Sequence, residues 1–403
     1  MDHTRIEVLV GIDMAKAEHF AHAITTNGDE LFARSVSNDE AAIGALIDAA
    51  SEAGKVALVI DMTASVAQLL LSIAADRDVP VAYVTGLAMR RAADLYAGSA
   101  KTDPRDAFVI ADYASRNLDR LTWLDVTDEL LIELRVLNGR DVDLAGDANR
   151  SINRCRDAMV AVSPALERAV GSRLGQPGVR DVMAKFSTPT ALRAAGRTRI
   201  RNTIRKRSPR LANDVTDQIW SAVEAQTVTL PAEEAWGEVI SDLLGDLDRV
   251  QSRRDELAGS IEEVFLSHPL GQVLVTLCGF GPRTGARTLA EIADPHRFDN
   301  GGRLAAYAGL APTNRRSGTS INGTFQHRGG NHRLKNAMFL AAFVATQHDP
   351  AAKAYYERKR AEGKKHNAAV ICVARRRCDL ILAMLKTATP YDPDRALPTQ
   401  IAA

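Results

Sequence analysis

The sequence predicts an α/β domain at the N-terminus, a long helical middle and a mainly α-helical C-terminal region. Three observations carry that expectation. Short apolar runs rich in β-branched residues, at 5–12, 55–61 and 79–84, alternate with stretches of helical periodicity. Residues 126–265 hold few aromatic side chains and repeat Leu and Val at three- and four-residue spacing. From Leu270 onward the composition changes, and glycine turns and basic stretches dominate.

The elements follow in order. Residues 5–12 read as a strand, and 19–25 and 30–36 as two more, with Asn27-Gly28 as the hairpin turn between them. Residues 38–53 have helical periodicity, with Asn38 as N-cap. A strand at 55–61, a helix at 64–75, a strand at 79–84 and a helix starting near Asp103 complete the order β-β-β-α-β-α-β-α. This domain is expected over 1–120. In the middle, 121–267, residues 129–162 and 217–265 are expected to be long helices that pair as a coiled coil, with Pro164 ending the first. An insert near 171–215, with Gly171, Gly175, Gln176-Pro177-Gly178 and an arginine-rich run, separates them. The last domain spans 268–403 and opens on Leu277-Cys278-Gly279-Phe280-Gly281-Pro282-Arg283-Thr284-Gly285-Ala286, which has the shape of a helix-hairpin-helix turn. Gly279 and Gly281 would let the backbone approach a phosphate, beside Arg283 and Thr284; a plain reverse turn between helices is the other reading.

With 46% hydrophobic and 25% charged residues in 403, the chain has the balance of a soluble globular protein of two or three domains. No apolar run reaches the length of a membrane span, and Met1-Asp2-His3-Thr4-Arg5 lacks a signal-peptide pattern, so a cytoplasmic protein is expected. Cys155, Cys278, Cys372 and Cys378 form no C-x-x-C pair, which argues against structural zinc and for reduced thiols. The net charge of +1 conceals a segregation. Residues 1–113 hold nine Lys/Arg against seventeen Asp/Glu, residues 315–377 fourteen against three, and residues 191–210 eight against none. Such basic segments point to a polyanionic partner.

The acids are concentrated where chemistry would use them. Lys101-Thr102-Asp103-Pro104-Arg105-Asp106-Ala107 sets two carboxylates three residues apart, on one face of a helix. Asp13 and Asp61 each end an apolar run. Four carboxylates from three elements form a donor set for a hard divalent cation, Mg²⁺ or Mn²⁺. The alternative for the Asp103 segment is a helix start with Asp103 as N-cap, Pro104 as first helical residue and Asp106 in the first turn.

Gly11-Ile12-Asp13, the 101–107 segment, 279–286, Leu304-Ala305-Ala306-Tyr307-Ala308-Gly309-Leu310-Ala311-Pro312 and Arg315-Arg316-Ser317-Gly318 together resemble the DEDD transposases of bacterial insertion sequences, whose recombinases use a bridge RNA. The resemblance covers roughly 5–117 and 268–350. It implies a ribonuclease H-like (RuvC-like) N-terminal domain in which Asp13, Asp61, Asp103 and Asp106 hold the metal, and a C-terminal transposase domain in which Ser317 is the nucleophile. The family's second acid is usually Glu followed by Ala-Thr-Gly; here Asp61 is followed by Met62-Thr63-Ala64, one methylene shorter. The resemblance further implies recombination of DNA through a phosphoserine link, and dimers or tetramers with composite sites. Arg315 and Arg316 would stabilise the phosphate, while Arg328, Arg333, Lys335 and the basic tail through Arg375-Arg376-Arg377 would hold DNA or RNA backbone. Ser320 is the neighbouring nucleophile candidate, and Gly329-Gly330-Asn331 another phosphate contact. Two alternatives remain open from the residues: a metal-dependent junction-resolving nuclease in which water attacks, and a nucleic-acid-binding scaffold with a degenerate site.

Overall fold

In the computed structural model the described residues are 5–62, 65–96, 102–124, 128–317, 321–325 and 329–393. They form two compact units. The first comprises residues 1–132, 268–280 and 288–403, and the second residues 133–267 and 281–287.

The first unit opens with β1 (Val8–Asp13), β2 (Glu18–Thr25), β3 (Glu30–Ser37), α1 (Glu40–Ser51), β4 (Val56–Ile60), α2 (Gln68–Asp76), β5 (Val81–Tyr83), α3 (Gly86–Ala93), α4 (Asp103–Arg116) and β6 (Thr122–Trp123). The strands make one mixed sheet in the order β3-β2-β1-β4-β5-β6. β1 is antiparallel to β2 and parallel to β4, β4 is parallel to β5, and β5 is antiparallel to β6. This α/β arrangement is compatible with the ribonuclease H-like architecture that the resemblance implies. β6 is a two-residue edge strand that the sequence reading did not anticipate. The cap of α1 is Asp39 rather than Asn38, its carboxylate accepting from the Ala42 amide.

The central strands β1 and β4 are buried on both faces, and the strand period of two sorts their side chains. Val8, Val10 and Ile12 of β1, with Val56, Leu58 and Ile60 of β4, form a core with Ile43, Leu46 and Ile47 of α1 and Leu70 and Ile73 of α2. Leu9, Ala57 and Val59 form the opposite core with Val109, Ile110, Ala111 and Ala114 of α4. Gly11 lies on this second face. A Cβ there would stand 2.4 Å from the Ala107 carbonyl oxygen and 2.5 Å from the Ala111 amide nitrogen, so only glycine admits α4 so close to β1.

The second unit is helical: most of α5 (Glu129–Val162), then α6 (Pro164–Val170), α7 (Pro177–Lys185), α8 (Pro189–Ala195), α9 (Arg197–Arg207), α10 (Ala212–Ala225) and α11 (Glu233–Ser267). α5 ends where Pro164 predicts, and Ser163 caps the next helix through its hydroxyl. The single helix expected over 217–265 is instead two helices. Val228 and Thr229 are β-branched and Pro231 follows them, and Ala232 takes a φ of 59°, which breaks the run between α10 and α11. The segment near 171–215 is no appendage. Val179, Val182, Ile200, Ile204, Val215 and Ile219 share one core with Cys155 and Met159 of α5 and Ile240 and Leu244 of α11. In the same unit the buried Asp141 accepts from Arg254 Nε and Arg287, each at 3.0 Å.

The first unit closes with α12 (Pro269–Val275), the C-terminal part of α13 (Pro282–Ile292), α14 (Gly301–Tyr307), β7 (Thr313–Ser317), β8 (Ile321–Phe325), α15 (His332–His348), α16 (Pro350–Ala361) and α17 (His366–Thr387). β7 and β8 form an antiparallel hairpin where the sequence suggested only a loop.

Two pairs of substitutions test this packing. Gly11→Ala forces backbone apart and is expected to destabilise the chain by about 1–3 kcal/mol, whereas Gly139→Ala, in α5 with nothing within 4 Å of its Cβ, should stabilise it by about 0.5–1 kcal/mol. Asp141→Ala leaves two arginines without their buried acid and should cost about 3 kcal/mol. Asp246→Ala at the exposed Arg249 pair should cost less than about 1 kcal/mol. Urea unfolding of the four variants reads both contrasts.

Candidate active site

The parallel register of β1 and β4 sets Ile12 opposite Ile60. Asp13, the last residue of β1, and Asp61, the residue after β4, therefore end neighbouring strands at the same edge of the sheet. Adjacent strands run about 4.8 Å apart. Continuing the alternation past Leu9 and Gly11, and past Ala57 and Val59, assigns both acids to the face that α4 covers. Asp61 Oδ1 is shielded from solvent. The contact of Gly11 with Ala107 brings the first turn of α4, with Asp103 and Asp106, to within a few residues of Asp13.

Asp103 is not the N-cap. Thr102 holds the cap position in extended conformation and its side chain makes no capping bond, while Asp103 is already helical and exposed. Its carboxylate is therefore not spent on capping the helix it begins. The donor set suits a hard divalent ion in chemistry, but the side chains stand apart: among the described residues no three His, Cys, Asp or Glu groups lie close enough to hold a metal.

Neighbouring groups fix the surroundings of the acids. The Ala15 amide donates to His19 Nδ1 at 3.2 Å, which ties the turn after Asp13 to β2. His22, edge-on to Phe108 of α4 and 3.2 Å from Glu30, is buried. Burial holds the pKa of both imidazoles below the ordinary value, for His22 against the pull of Glu30. Tyr83, at the end of β5, has its phenol pKa raised by burial first and then by Tyr307 and Asp61, with Arg297 opposing. Arg297 and Tyr307 thus belong to the surroundings of the Asp61 strand end. The Arg297 guanidinium lies 4.6 Å from the ring centroids of both Phe298 and Tyr307. Sequence reasoning assigned no role to these three residues, although the Arg297-Phe298 pair and Tyr307 were visible as an aromatic-flanked cation.

The C-terminal candidates divide into two groups. Ser317 ends β7 opposite Ile321, with Arg316 opposite Asn322 and Arg315 opposite Gly323. The side chains of Arg315, Arg316 and Ser317, and the whole of Ser320 and Arg328, lie outside the described part. Gly279 takes a φ of +90°, and a Cβ there would meet the Ala341 carbonyl at 2.2 Å, so close packing on α15 accounts for this glycine. Gly281 is unobstructed. Arg283 donates to the Arg254 carbonyl at 3.2 Å and reaches Asp255 at 3.4 Å, and Thr284 donates to the Gly281 carbonyl. Asn331 caps α15, its side chain donates to Glu291 at 2.6 Å and its backbone amide donates to the Tyr307 carbonyl at 2.7 Å, so Gly329-Gly330-Asn331 is a packing junction. Arg333 is exposed 3.9 Å from Glu291, and Lys335 is half-buried on the same helix. The basic tail needs one correction. Arg377 is buried, donates to the Cys278 carbonyl and lies 5.3 Å from the Phe280 ring centroid, so it is part of the core. Lys353, Arg360, Lys364, Lys365 and Arg376 are exposed.

A mixed sheet with acids at the ends of its central parallel strands, followed by helices with exposed cations, fits a protein that acts on nucleic acid. Residues 10–164 match the DEDD profile described as Transposase, and residues 271–357 match the profile described as Transposase IS116/IS110/IS902 family. The chain is 40% identical to the insertion element IS110 43.6 kDa protein of Streptomyces coelicolor over the whole of both chains. It is 34% identical to the insertion element IS116 44.8 kDa protein of Streptomyces clavuligerus over 97% of each. A pilin gene-inverting protein of Moraxella bovis is 30% identical over 122 residues, 30% of this chain and 38% of that one. The chain belongs to the IS110-type transposases and is a DNA transposase of an insertion element. Among the described residues no helix is long and apolar enough to cross a membrane.

A network centred on the buried Asp112 anchors the helix that carries two of the acids. Arg116 donates to both oxygens of Asp112, at 2.8 and 2.9 Å, and the Tyr96 hydroxyl donates to the same carboxylate. Arg116 pulls the Asp112 carboxyl below its ordinary value of 3.8, against burial and with help from Tyr96. Burial and then Asp112 push the Tyr96 phenol up to about 12. A depressed carboxyl stabilises the fold above its unfolded pKa and ceases to do so as pH falls through the folded one. A raised phenol stabilises below 10 and ceases to do so as pH rises toward about 12. Asp112→Asn should therefore melt below the parent throughout the neutral range. The gap should close below about pH 4, as read by thermal unfolding at stepped pH.

Proposed function

We propose that this transposase cuts and rejoins DNA through a covalent phosphoserine intermediate at Ser317, with a divalent metal ion bound by Asp13, Asp61, Asp103 and Asp106. The observation that carries the reading is the pairing of Asp13 and Asp61 on adjacent parallel strand ends, on the face covered by the helix that starts with Asp103 and Asp106. A bound Mg²⁺ or Mn²⁺ supplies charge neutralisation at the scissile phosphate. Asp61, in place of the family's Glu, would keep the charge of that ligand on a side chain one methylene shorter. Ser317 Oγ forms the new bond to phosphorus as a phosphorus–oxygen bond to deoxyribose breaks, and the departing hydroxyl takes the proton. Arg315 and Arg316 neutralise the five-coordinate phosphate from the same strand. Gly281, Arg283 and Thr284 hold backbone phosphate in a helix-hairpin-helix manner beside Gly279, and Arg328, Arg333, Lys335 and the exposed tail cations extend the contact. The printed name of the Moraxella relative, a gene-inverting protein, supports rejoining over simple cutting. A bridge RNA selects the sites, dimers or tetramers bring acids and serine together, and the protein works in the cytoplasm on the nucleoid.

A denaturing gel of protein incubated with element-end duplex and Mg²⁺ tests the reading. The parent should give a covalent protein–DNA adduct that Ser317→Ala abolishes, and Asp13→Ala should lower cleavage by on the order of 100-fold. Metal-dependent cutting that survives Ser317→Ala would instead identify a nuclease in which water attacks, and binding with no cutting a scaffold. Mixing Asp13→Ala with Ser317→Ala subunits should restore adducts if the sites are composite; an absence of rescue places acids and serine in one chain.

A further inference from the structure

We infer that the exposed face of α9, in the helical unit, is a second binding surface for duplex DNA, contacting its phosphate backbone independently of the acids and of Ser317. α9 carries six cations in eleven residues and no acid. Ile200 and Ile204 are fully buried and fix the helix to α7 and α10, so the cations are displayed by a rigid element. Arg197 is neutralised by Asp217 and Arg207 by Asp181. Arg199, Arg201, Arg205 and Lys206 are exposed and have no ion pair among the described residues. Beside them lies a groove of about 490 Å³ lined by Lys185, Arg197, Arg199, Asn202, Thr203 and Lys206. Ala195, Gly196 and Thr198 complete its wall, which holds no carboxylate.

The chemistry of the groove selects the partner. Single strands are held by exposed aromatic platforms on which bases stack, and no aromatic side chain lines this groove. The adjacent ring, Phe186, is buried and covered by Lys185 and Arg199, at 5.7 and 5.4 Å from its centroid. The ring therefore braces the two cations instead of offering a face to a base. What remains is a rigid helix whose exposed cations Arg199, Arg201, Arg205 and Lys206 span about 11 Å along its axis, suited to adjacent phosphates of one duplex strand.

The test uses the full-length chain carrying Arg201→Glu, Arg205→Glu and Lys206→Glu, with Ser317→Ala and no metal so that binding alone is read. Anisotropy titration of a labelled duplex of ~30 base pairs, at several salt concentrations, should show at least ~10-fold weaker binding near 0.1 M salt. The slope of log affinity against log salt should become shallower by about two to three. Unchanged affinity and slope would overturn the inference, as would weakened binding confined to an RNA hairpin with the duplex unaffected. The milder triple Gln variant, with a thermal midpoint equal to the parent's, should fall between the two and excludes misfolding. Failure here leaves the Ser317 adduct intact at low salt, whereas failure of the phosphoserine mechanism leaves this binding intact.

Discussion

The approach of α4 to β1 at Gly11 is the constraint on which the N-terminal architecture turns. With no side chain at that point, helix backbone meets strand backbone. A helix held at that distance brings its first turn to the strand end two residues further on. The aliphatic side chains on the same face, Leu9, Val59, Val109 and Ile110, fill the space left on either side of the contact. The Tyr96–Asp112–Arg116 network then pins the C-terminal half of α4, and Arg105 secures its start by donating to the Tyr96 carbonyl at 3.1 Å. Acids at such a site repel one another, so their positions have to be imposed by packing that is indifferent to charge. Glycine, alanine and aliphatic contacts do this.

The charge distribution follows a related logic. Acidic residues gather in the sheet region, and basic ones in α9 and the C-terminal helices. A polyanion is attracted to the second group and repelled by the first. Arg377 shows the limit of reading charge from sequence. It belongs to a run of three arginines, yet its burial lowers its pKa, and its guanidinium serves the Cys278 carbonyl and the Phe280 ring.

Much of the N-terminal domain was legible because its signals are local. Alternating aliphatic runs give β1 to β5, and the parity of each strand already assigns Asp13 and Asp61 to one face. The helical boundary at Ser163-Pro164 was legible for the same reason. What escaped the sequence depends on distant partners. The β7–β8 hairpin depends on pairing between two polar segments that carry no apolar alternation, whereas the break between α10 and α11 has a local signal in Pro231 within an otherwise helical pattern. Asp103 resembles a cap in sequence, but Thr102 takes that position because the chain enters the helix one residue earlier. The neighbourhood of Tyr83, Arg297 and Tyr307 joins residues more than two hundred positions apart, which no spacing rule reveals. The candidate site was thus legible as a list of acids and a serine, but the surroundings of Asp61 were not.

The first unit is discontinuous: its sheet precedes the whole helical unit, and its closing helices follow it. On a ribosome adding about 5–20 residues per second, roughly 15–60 seconds separate emergence of Asp13 from that of Ser317. A nascent or truncated chain therefore exposes an acidic strand edge with neither the hairpin nor the basic helices that would bring DNA to it. On the function proposed above, chain order keeps the acids and the serine apart in time until synthesis is nearly complete.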